Sequence, residues 1–229
     1  MKKALVIGAA GFVGGYLIDC LKNKFGYEVY GTKLAAQDFS HPDAKIFDLD
    51  IMSRAQIKSL LEEIHPDCIF HLAAQSSVAL SWKNPELTVD INIKGTLNLL
   101  ETLRSLDYKA RVLLVGSGEE YGASGAEKGQ IGENTVLKPG NIYAATKACQ
   151  NMLGAIYAKA YGLDIISVRA FNHIGPGQAE GFVMSDFCKQ VAEIEAGKRD
   201  PVMSVGNLSA SRDFTDVRDV VRAYALLAQ

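Results

Sequence analysis

The stretch "ALVIGAAGFVGGYL", Ala4–Leu17, decides the fold. Ala4–Ile7 is a short apolar run of the length of a buried strand, and it runs directly into Gly8, Gly11 and Gly14, spaced three apart, as a helical pattern opens at Phe12. Glycines at such a turn let the chain reverse tightly and let the main chain approach a ligand closely. The free N–H groups and positive end of the helix that follows then favour an anion. A tight turn with close helix packing accounts equally well for an isolated glycine triplet. Its place after the first strand and at the start of an alternating fold makes it a dinucleotide pyrophosphate site.

The alternation continues outward from this point. Strands are expected at Ala4–Ile7, Glu28–Gly31, Lys45–Phe47, Cys68–Leu72, Arg111–Val115 and Ile165–Arg169. Helices are expected near Phe12–Asn23, Arg54–Ile64, Pro85–Leu106, Ile142–Tyr161 and Val183–Ala196. Strand and helix in turn predict an α/β fold, a Rossmann-type doubly wound parallel sheet, because right-handed crossovers place helices on both faces. From Gly175 the pattern loosens, with a loop "GPGQAEG" and a short strand at Met203–Val205. The chain thus divides into a dinucleotide-binding domain over 1–174 and a small, apparently incomplete substrate lobe over 175–229, its last helix packing back on the core.

The totals exclude several partners. Among 229 residues, 48% hydrophobic, acids and bases are mixed and the net charge is −2. No basic face argues for nucleic acid, and no run reaches the ~18 apolar residues of a membrane span. The apolar start after Lys2 and Lys3 is too short and glycine-broken for a secretion signal. The four cysteines, Cys20, Cys68, Cys149 and Cys188, lack metal or Cys-x-x-Cys spacing and read as buried free thiols, which suits a reducing cytoplasm. No metal site is expected.

Cofactor choice is read at the end of the second strand, where an acid would hold a free ribose 2′-hydroxyl. The sequence offers Thr32 and Lys33, a hydroxyl and a cation, so NADP is favoured and NAD possible. Asp48 in "FDLD" is placed to accept from the adenine amino group with Leu49 against the ring; a turn aspartate is the competing reading.

The segment "NIYAATKA", Asn141–Ala148, sets Lys147 four residues after Tyr143 on one helix face. A neighbouring cation favours the ionised phenol and would bring its titration toward neutrality. A tyrosine covering a core edge beside a solvated lysine has the same spacing.

Taken in order, "GAAGFVG", "HLAAQSSV" (His71–Val78), "DINIKGTLNLLE" (Asp90–Glu101), "GSGEEYG" (Gly116–Gly122), "YAATK" and "RAFNHIGPG" (Arg169–Gly177) resemble the extended short-chain dehydrogenase/reductases over nearly the whole chain. Within that family, "FNHIGPGQ", "GFVMSDFCKQ" and "VGNLSASRDFTDVRD" are most similar to the GDP-4-keto-6-deoxy-D-mannose reductases, relatives of the GDP-mannose 4,6-dehydratases. The resemblance implies that Tyr143 is the acid/base, that Lys147 lowers its pKa and holds the nicotinamide ribose, that Ser117 binds the substrate oxygen, and that Asn92 relays protons or shapes its helix. It implies cofactor contacts from Gly8, Gly11, Phe12, Val13, Gly14, Lys33, Asp48, Leu49, Leu72, Ala73, Ala74, Tyr143 and Lys147. Substrate contacts fall on Ser117, Glu119, Asn172, Phe182, Val183 and Arg212, with Arg212 alternatively paired to Asp213 and Phe182–Val183 alternatively opening a buried helix. His173 reads as a hydrogen-bonded loop histidine, and Gly118 as a change in loop rigidity. The implied activity is NADPH-dependent reduction of a GDP-4-keto-6-deoxyhexose to GDP-D-rhamnose by a homodimer. Glu119 keeps a dehydratase or epimerase open, and an NADP sensor without catalysis is the third reading.

Overall fold

The computed structural model describes residues 1–125, 130–209 and 211–229. Six parallel strands stand in the order β3-β2-β1-β4-β5-β6: β1 Lys3–Ile7, β2 Glu28–Lys33, β3 Ala44–Asp48, β4 Cys68–His71, β5 Arg111–Val115 and β6 Ile165–Val168. The order reverses beside β1, and at such a switch point the carboxyl ends of the strands open a crevice for a ligand.

Alternation along β1 divides the core. Ala4 and Val6 face the layer covered by α1 (Phe12–Phe25), whereas Leu5 and Ile7 face the layer covered by α2 (Arg54–Ile64) and its neighbours. Each such buried aliphatic side chain contributes about 1.5–3 kcal/mol. Two local devices set the helix ends: Ser53 caps α2 by accepting from Gln56 N, and Gly26 ends α1 in the left-handed conformation.

The expected helix Pro85–Leu106 is three pieces: α4 Pro85–Val89, a π-helical turn Asp90–Gly95, and α5 Thr96–Ser105, preceded by an unexpected short α3, Val78–Lys83. The wide turn admits the Asn92 side chain to a buried position, and a Cβ at Gly95 would lie 2.8 Å from Ile51 Cγ2. The remaining elements are α6 Ile142–Tyr161, β7 Asn172–Ile174, α7 Val183–Glu195, β8 Phe214–Asp216 and α8 Val217–Leu227.

Met203–Val205 is not a strand. Ser204 instead meets a side chain: its N–H donates to Gln190 Oε1 at 2.7 Å and its carbonyl accepts from Gln190 Nε2 at 3.1 Å, so the α7 amide takes the place of a neighbouring strand. The tail's actual strands, β7 and β8, pair in parallel from Asn172↔Phe214 to Ile174↔Asp216. After them α8 returns to the first core layer, burying Val217, Val220, Val221, Tyr224 and Ala225 beside α1. The cysteines are all free, but only Cys20 and Cys68 are buried; Cys149 is half-buried and Cys188 exposed, because the apolar run around Cys188 belongs to an amphipathic surface helix. No helix among the described residues is long and apolar enough to cross a membrane.

Candidate active site

The carboxyl ends of β1, β4 and β5 carry the candidate residues. At β1, Gly8 adopts φ +86° and a Cβ there would sit 2.7 Å from Ala73 N, so Leu72–Ala74 at the end of β4 lies directly against the glycine turn. Gly11 is the N-cap of α1, no side chain caps that helix, and its first turn, with Phe12, Val13 and Gly14, holds no acid. An uncapped positive helix end bordered by glycine is suited to a pyrophosphate. A cavity of about 550 Å³ opens beside it, lined by Ala10, Gly11, Phe12 and Tyr16 and faced by Phe39 and Pro176. A second cavity, about 330 Å³, lies at the opposite end of the sheet among Lys2, Asp67, Arg111 and Asp164, away from these groups.

The adenosine end differs from the sequence expectation. Thr32 is buried, and its Oγ1 accepts the Gly8 N–H at 3.0 Å, which ties β2 to the glycine turn and leaves the hydroxyl engaged. The parallel register places Lys33 opposite Asp48, and the two form an ion pair at 2.7 Å. The cation expected at a 2′-phosphate and the carboxylate expected at the adenine amine therefore hold each other. Leu49 is buried in the α2-side core, so its side chain has no open face for an adenine ring.

Ser117 lies two residues past β5 and is buried; Tyr143 and Lys147 lie on the first two turns of α6, which Asn141 caps by accepting from Ala144 N at 2.8 Å. The Ser117 hydroxyl acts on the Tyr143 phenol in the sense that lowers its pKa, so the two hydroxyls stand near each other. Lys147 is turned elsewhere: its Nζ donates to Val115 O at 2.8 Å and Gln150 Oε1 at 3.1 Å. The expected lowering of the phenol pKa is accordingly absent. Burial of the phenol end pushes Tyr143 up to about 12, opposed by the nearby Ser117 hydroxyl and reinforced by Glu120 and Glu119. Burial pushes Lys147 down to about 8 while Glu120 acts in the opposite sense.

Asn92 is wholly consumed by structure. Its Oδ1 accepts from Gln75 N at 2.8 Å, and its Nδ2 donates to Gln75 O at 3.1 Å and Thr146 Oγ1 at 2.9 Å, binding the segment after β4 to α6. This fits the helix-shaping half of its expected role. Glu119 Oε2 accepts from Asn141 Nδ2 at 3.2 Å, and Glu119 N donates to Ser117 Oγ at 3.2 Å, so the carboxylate borders the Ser117–Tyr143 pair. Gly118 decides more than loop rigidity: a Cβ there would meet the Phe171 ring at 2.7 Å.

Pairing of β7 and β8 brings Asn172 near Arg212, with Asn172 N donating to Asp213 O at 3.2 Å. Arg212 is exposed and donates to Ser211 O at 2.8 Å, with no ion pair to Asp213. Phe182 is the N-cap of α7 and Val183 its first residue; both are exposed, so the buried-helix alternative does not hold. Among the described residues no hydrogen bond or ion pair joins these tail residues to Ser117, Tyr143 or Lys147. His173 lies in β7 rather than a loop, and its Nδ1 is buried without a partner.

Several site residues escaped the sequence reading. Thr146, Gln150 and Asn151 are buried on the α6 face of Tyr143 and Lys147, and Glu120 lies completely buried below Ser117. The α6 group was legible as polar residues recurring at helical spacing around Lys147.

Known proteins carry the same organisation. Residues 5–229 match the family model described as GDP-mannose 4,6 dehydratase. GDP-6-deoxy-D-mannose reductase of Pseudomonas aeruginosa is 35% identical over 226 residues, spanning 99% of this chain and 70% of the relative. GDP-mannose 4,6-dehydratase of Yersinia enterocolitica is 32% identical over all of this chain, which spans only 65% of that relative's length. Among solved structures, RMD from Pseudomonas aeruginosa complexed with NADPH superposes with a TM-score of 0.83 at 31% identity, covering 100% of this chain and 74% of that one. UDP-glucose 4-epimerase of Thermus thermophilus, in complex with NAD, gives 0.87 at 27% identity, covering 99% and 74%. The chain belongs to the GDP-mannose 4,6-dehydratase family of the extended short-chain dehydrogenase/reductases.

Proposed function

We propose that the chain is an NADPH-dependent reductase of the 4-keto group of GDP-4-keto-6-deoxy-D-mannose, giving GDP-D-rhamnose. The observation that carries this reading is the likeness to the Pseudomonas aeruginosa GDP-6-deoxy-D-mannose reductase, 35% identical over 99% of this chain, together with two hydroxyls, Ser117 past β5 and Tyr143 on α6, that stand near each other. A ketone accepting hydride develops negative charge on oxygen and needs donors there. NADPH supplies the hydride. Ser117 and Tyr143 supply the donors, and Tyr143 delivers the proton, leaving phenolate. The Pseudomonas reductase relative supports the same reading.

Asn172 and Arg212 are assigned to the substrate diphosphate, with Phe182 and Val183 toward the base, on the lobe that follows residue 174. A second reading, GDP-mannose dehydration, is supported by the matching family model, by the Yersinia dehydratase relative and by the Glu119 carboxylate, which accepts from Asn141 beside the hydroxyl pair. One assay separates the two. Stoichiometric loss of NADPH absorbance with GDP-4-keto-6-deoxymannose supports reduction; water loss from GDP-mannose without net NADPH consumption overturns it in favour of dehydration, and cofactor binding without either reaction leaves a sensor.

The Lys33–Asp48 pair makes a cofactor prediction. Lys33→Ala weakens NADPH binding about tenfold, or ~1.4 kcal/mol, and leaves NADH binding unchanged, read by fluorescence titration with each cofactor. Equal losses for both would show that Lys33 does not sense the 2′-phosphate. The exposed apolar side chains Trp82, Leu87, Met152 and Ile156 on α3, α4 and α6 are assigned to a second copy of the chain. Light scattering is expected to give a dimer for the wild type and a monomer for Met152→Glu/Ile156→Glu; a wild-type monomer would rule the assignment out.

A further inference from the structure

Glu120 takes no part in the reaction above, yet it is fully buried beneath it. Its Oε1 accepts from Ser117 N at 2.7 Å and from Asn151 Nδ2 at 2.8 Å. Its Oε2 accepts from Asn151 Nδ2 at 2.8 Å and lies 3.3 Å from Arg169 Nε. The space is reserved for it: a Cβ at Gly116 would come within 2.3 Å of Glu120 Oε1. Asn151 lies one turn beyond Lys147 and two beyond Tyr143 on α6, and Arg169 follows β6 directly. The carboxylate therefore joins the Ser117 turn, the catalytic helix and the end of β6 at one point.

Burying a carboxylate costs several kcal/mol unless it is paired and hydrogen-bonded. A neutral amide would offer an acceptor to the same main-chain N–H, so beyond its pairing with Arg169 at 3.3 Å the charge needs a second reason. The groups that face Lys147 supply one. His71, on β4, has Nε2 within 3.0 Å of Thr96 Oγ1, and burial first, then Lys147, pushes it down to about 3, so it is neutral. Gln150 and the phenol of Tyr143, on Lys147's own helix, are uncharged as well. Glu120 is the buried anion that acts to raise Lys147, and Arg169 is the cation paired with its other oxygen at 3.3 Å.

We propose that Glu120 is a positioning residue of this site, its carboxylate holding the Ser117 main chain against α6 through Asn151 and against the end of β6 through Arg169. The inference rests on the reductase reading for its activity readout alone. Glu120→Gln keeps the shape and removes the charge. Turnover is expected to fall between about 10- and 100-fold with NADPH affinity retained. Because Glu120 raises both Lys147 and Tyr143, the alkaline limb of the kcat/KM profile is expected to move to lower pH. The ultraviolet titration of the Tyr143 phenol, taken as the difference from the Tyr143→Phe variant and run without substrate, moves the same way. A merely structural tie would move neither. Asn151→Ala, which keeps the charge but removes its amide partner, is expected to lose turnover without moving the limb, and the double variant to lose no more than Glu120→Gln alone.

Wild-type turnover and an unmoved titration in Glu120→Gln overturn the proposal. If that variant does not fold, Asn151→Ala decides: reduced turnover with NADPH binding intact supports the tie, and unchanged turnover overturns it. Should the wild type consume no NADPH with the ketosugar, the reductase reading fails, while the substrate-free titration still decides for or against Glu120.

Discussion

Tyr143→Phe lowers turnover on GDP-4-keto-6-deoxymannose by about 10²–10⁴-fold, the usual worth of a positioned proton donor, while NADPH binds as to the wild type. In barrier terms that is roughly 3–5.5 kcal/mol. The change deletes one oxygen from a ring that otherwise stays in place on the first turn of α6, so the loss is chemical rather than architectural. Ser117 remains as a donor to the substrate oxygen but delivers no proton, which is why Ser117→Ala is expected to be the milder of the two. The pH dependence follows from the same groups. Tyr143 is in its proton-donating form throughout the neutral range, since burial holds it at about 12. Lys147, pushed down to about 8, loses its charge as pH rises through that value, and activity falls on that side. Below it the ammonium is complete and the profile is flat until the substrate or other acids titrate. Rapid-mixing measurement of nicotinamide absorbance across pH checks both statements. A Tyr143→Phe variant with wild-type turnover would remove the acid from the mechanism.

The sequence carried the sheet because strand periodicity and glycine placement are local signals. The run Ala4–Ile7 alternates between two core layers, and the glycine triplet can pack only where a strand turns into a helix. The placement of the candidate trio was legible for a related reason, since Tyr143 and Lys147 share one helix face and Ser117 follows a strand end. What stayed hidden is what depends on contacts between distant segments. The ion pair of Lys33 and Asp48 comes from the register of β2 on β3, which neither strand announces by itself. Ser204 lies flat against Gln190 because an amide fourteen residues earlier matches its main chain, and a β-like composition could not reveal that. The wide turn at Asp90–Gly95 is set by Asn92 reaching Gln75 and Thr146. The direction of the Tyr143 shift was misjudged because spacing gives proximity of Lys147 but neither its orientation nor the depth of the phenol.

Gly14→Ala is expected to abolish dinucleotide binding and to cost more stability than ordinary overpacking, which is about 1–3 kcal/mol. The added methyl would stand 2.0 Å from Ala9 O, 2.5 Å from Ala9 C and 2.6 Å from Ala9 Cα. All three are main-chain atoms of the turn between β1 and α1, so no side chain can rotate away. Relief requires α1 to move off the turn, and two things resist it. Ala9 N donates to Thr32 O at 2.7 Å and Gly8 N to Thr32 Oγ1 at 3.0 Å, which fix the turn to β2. On its other side α1 is packed against α8 through Leu17, Leu21, Val221 and Ala225 in one buried cluster. The helix cannot shift outward without opening that layer. The same displacement would carry the uncapped helix end away from the place where it meets a pyrophosphate. Gly15→Ala is the internal control, because a Cβ at Gly15 meets nothing within 4 Å and alanine favours the helix. Thermal melting and NADPH titration of the two variants are expected to give a large loss for Gly14→Ala and wild-type or higher stability for Gly15→Ala. Equal behaviour of the two would mean that the β1–α1 approach is looser than 2.0 Å implies, and that the glycine spacing does not determine the cofactor site.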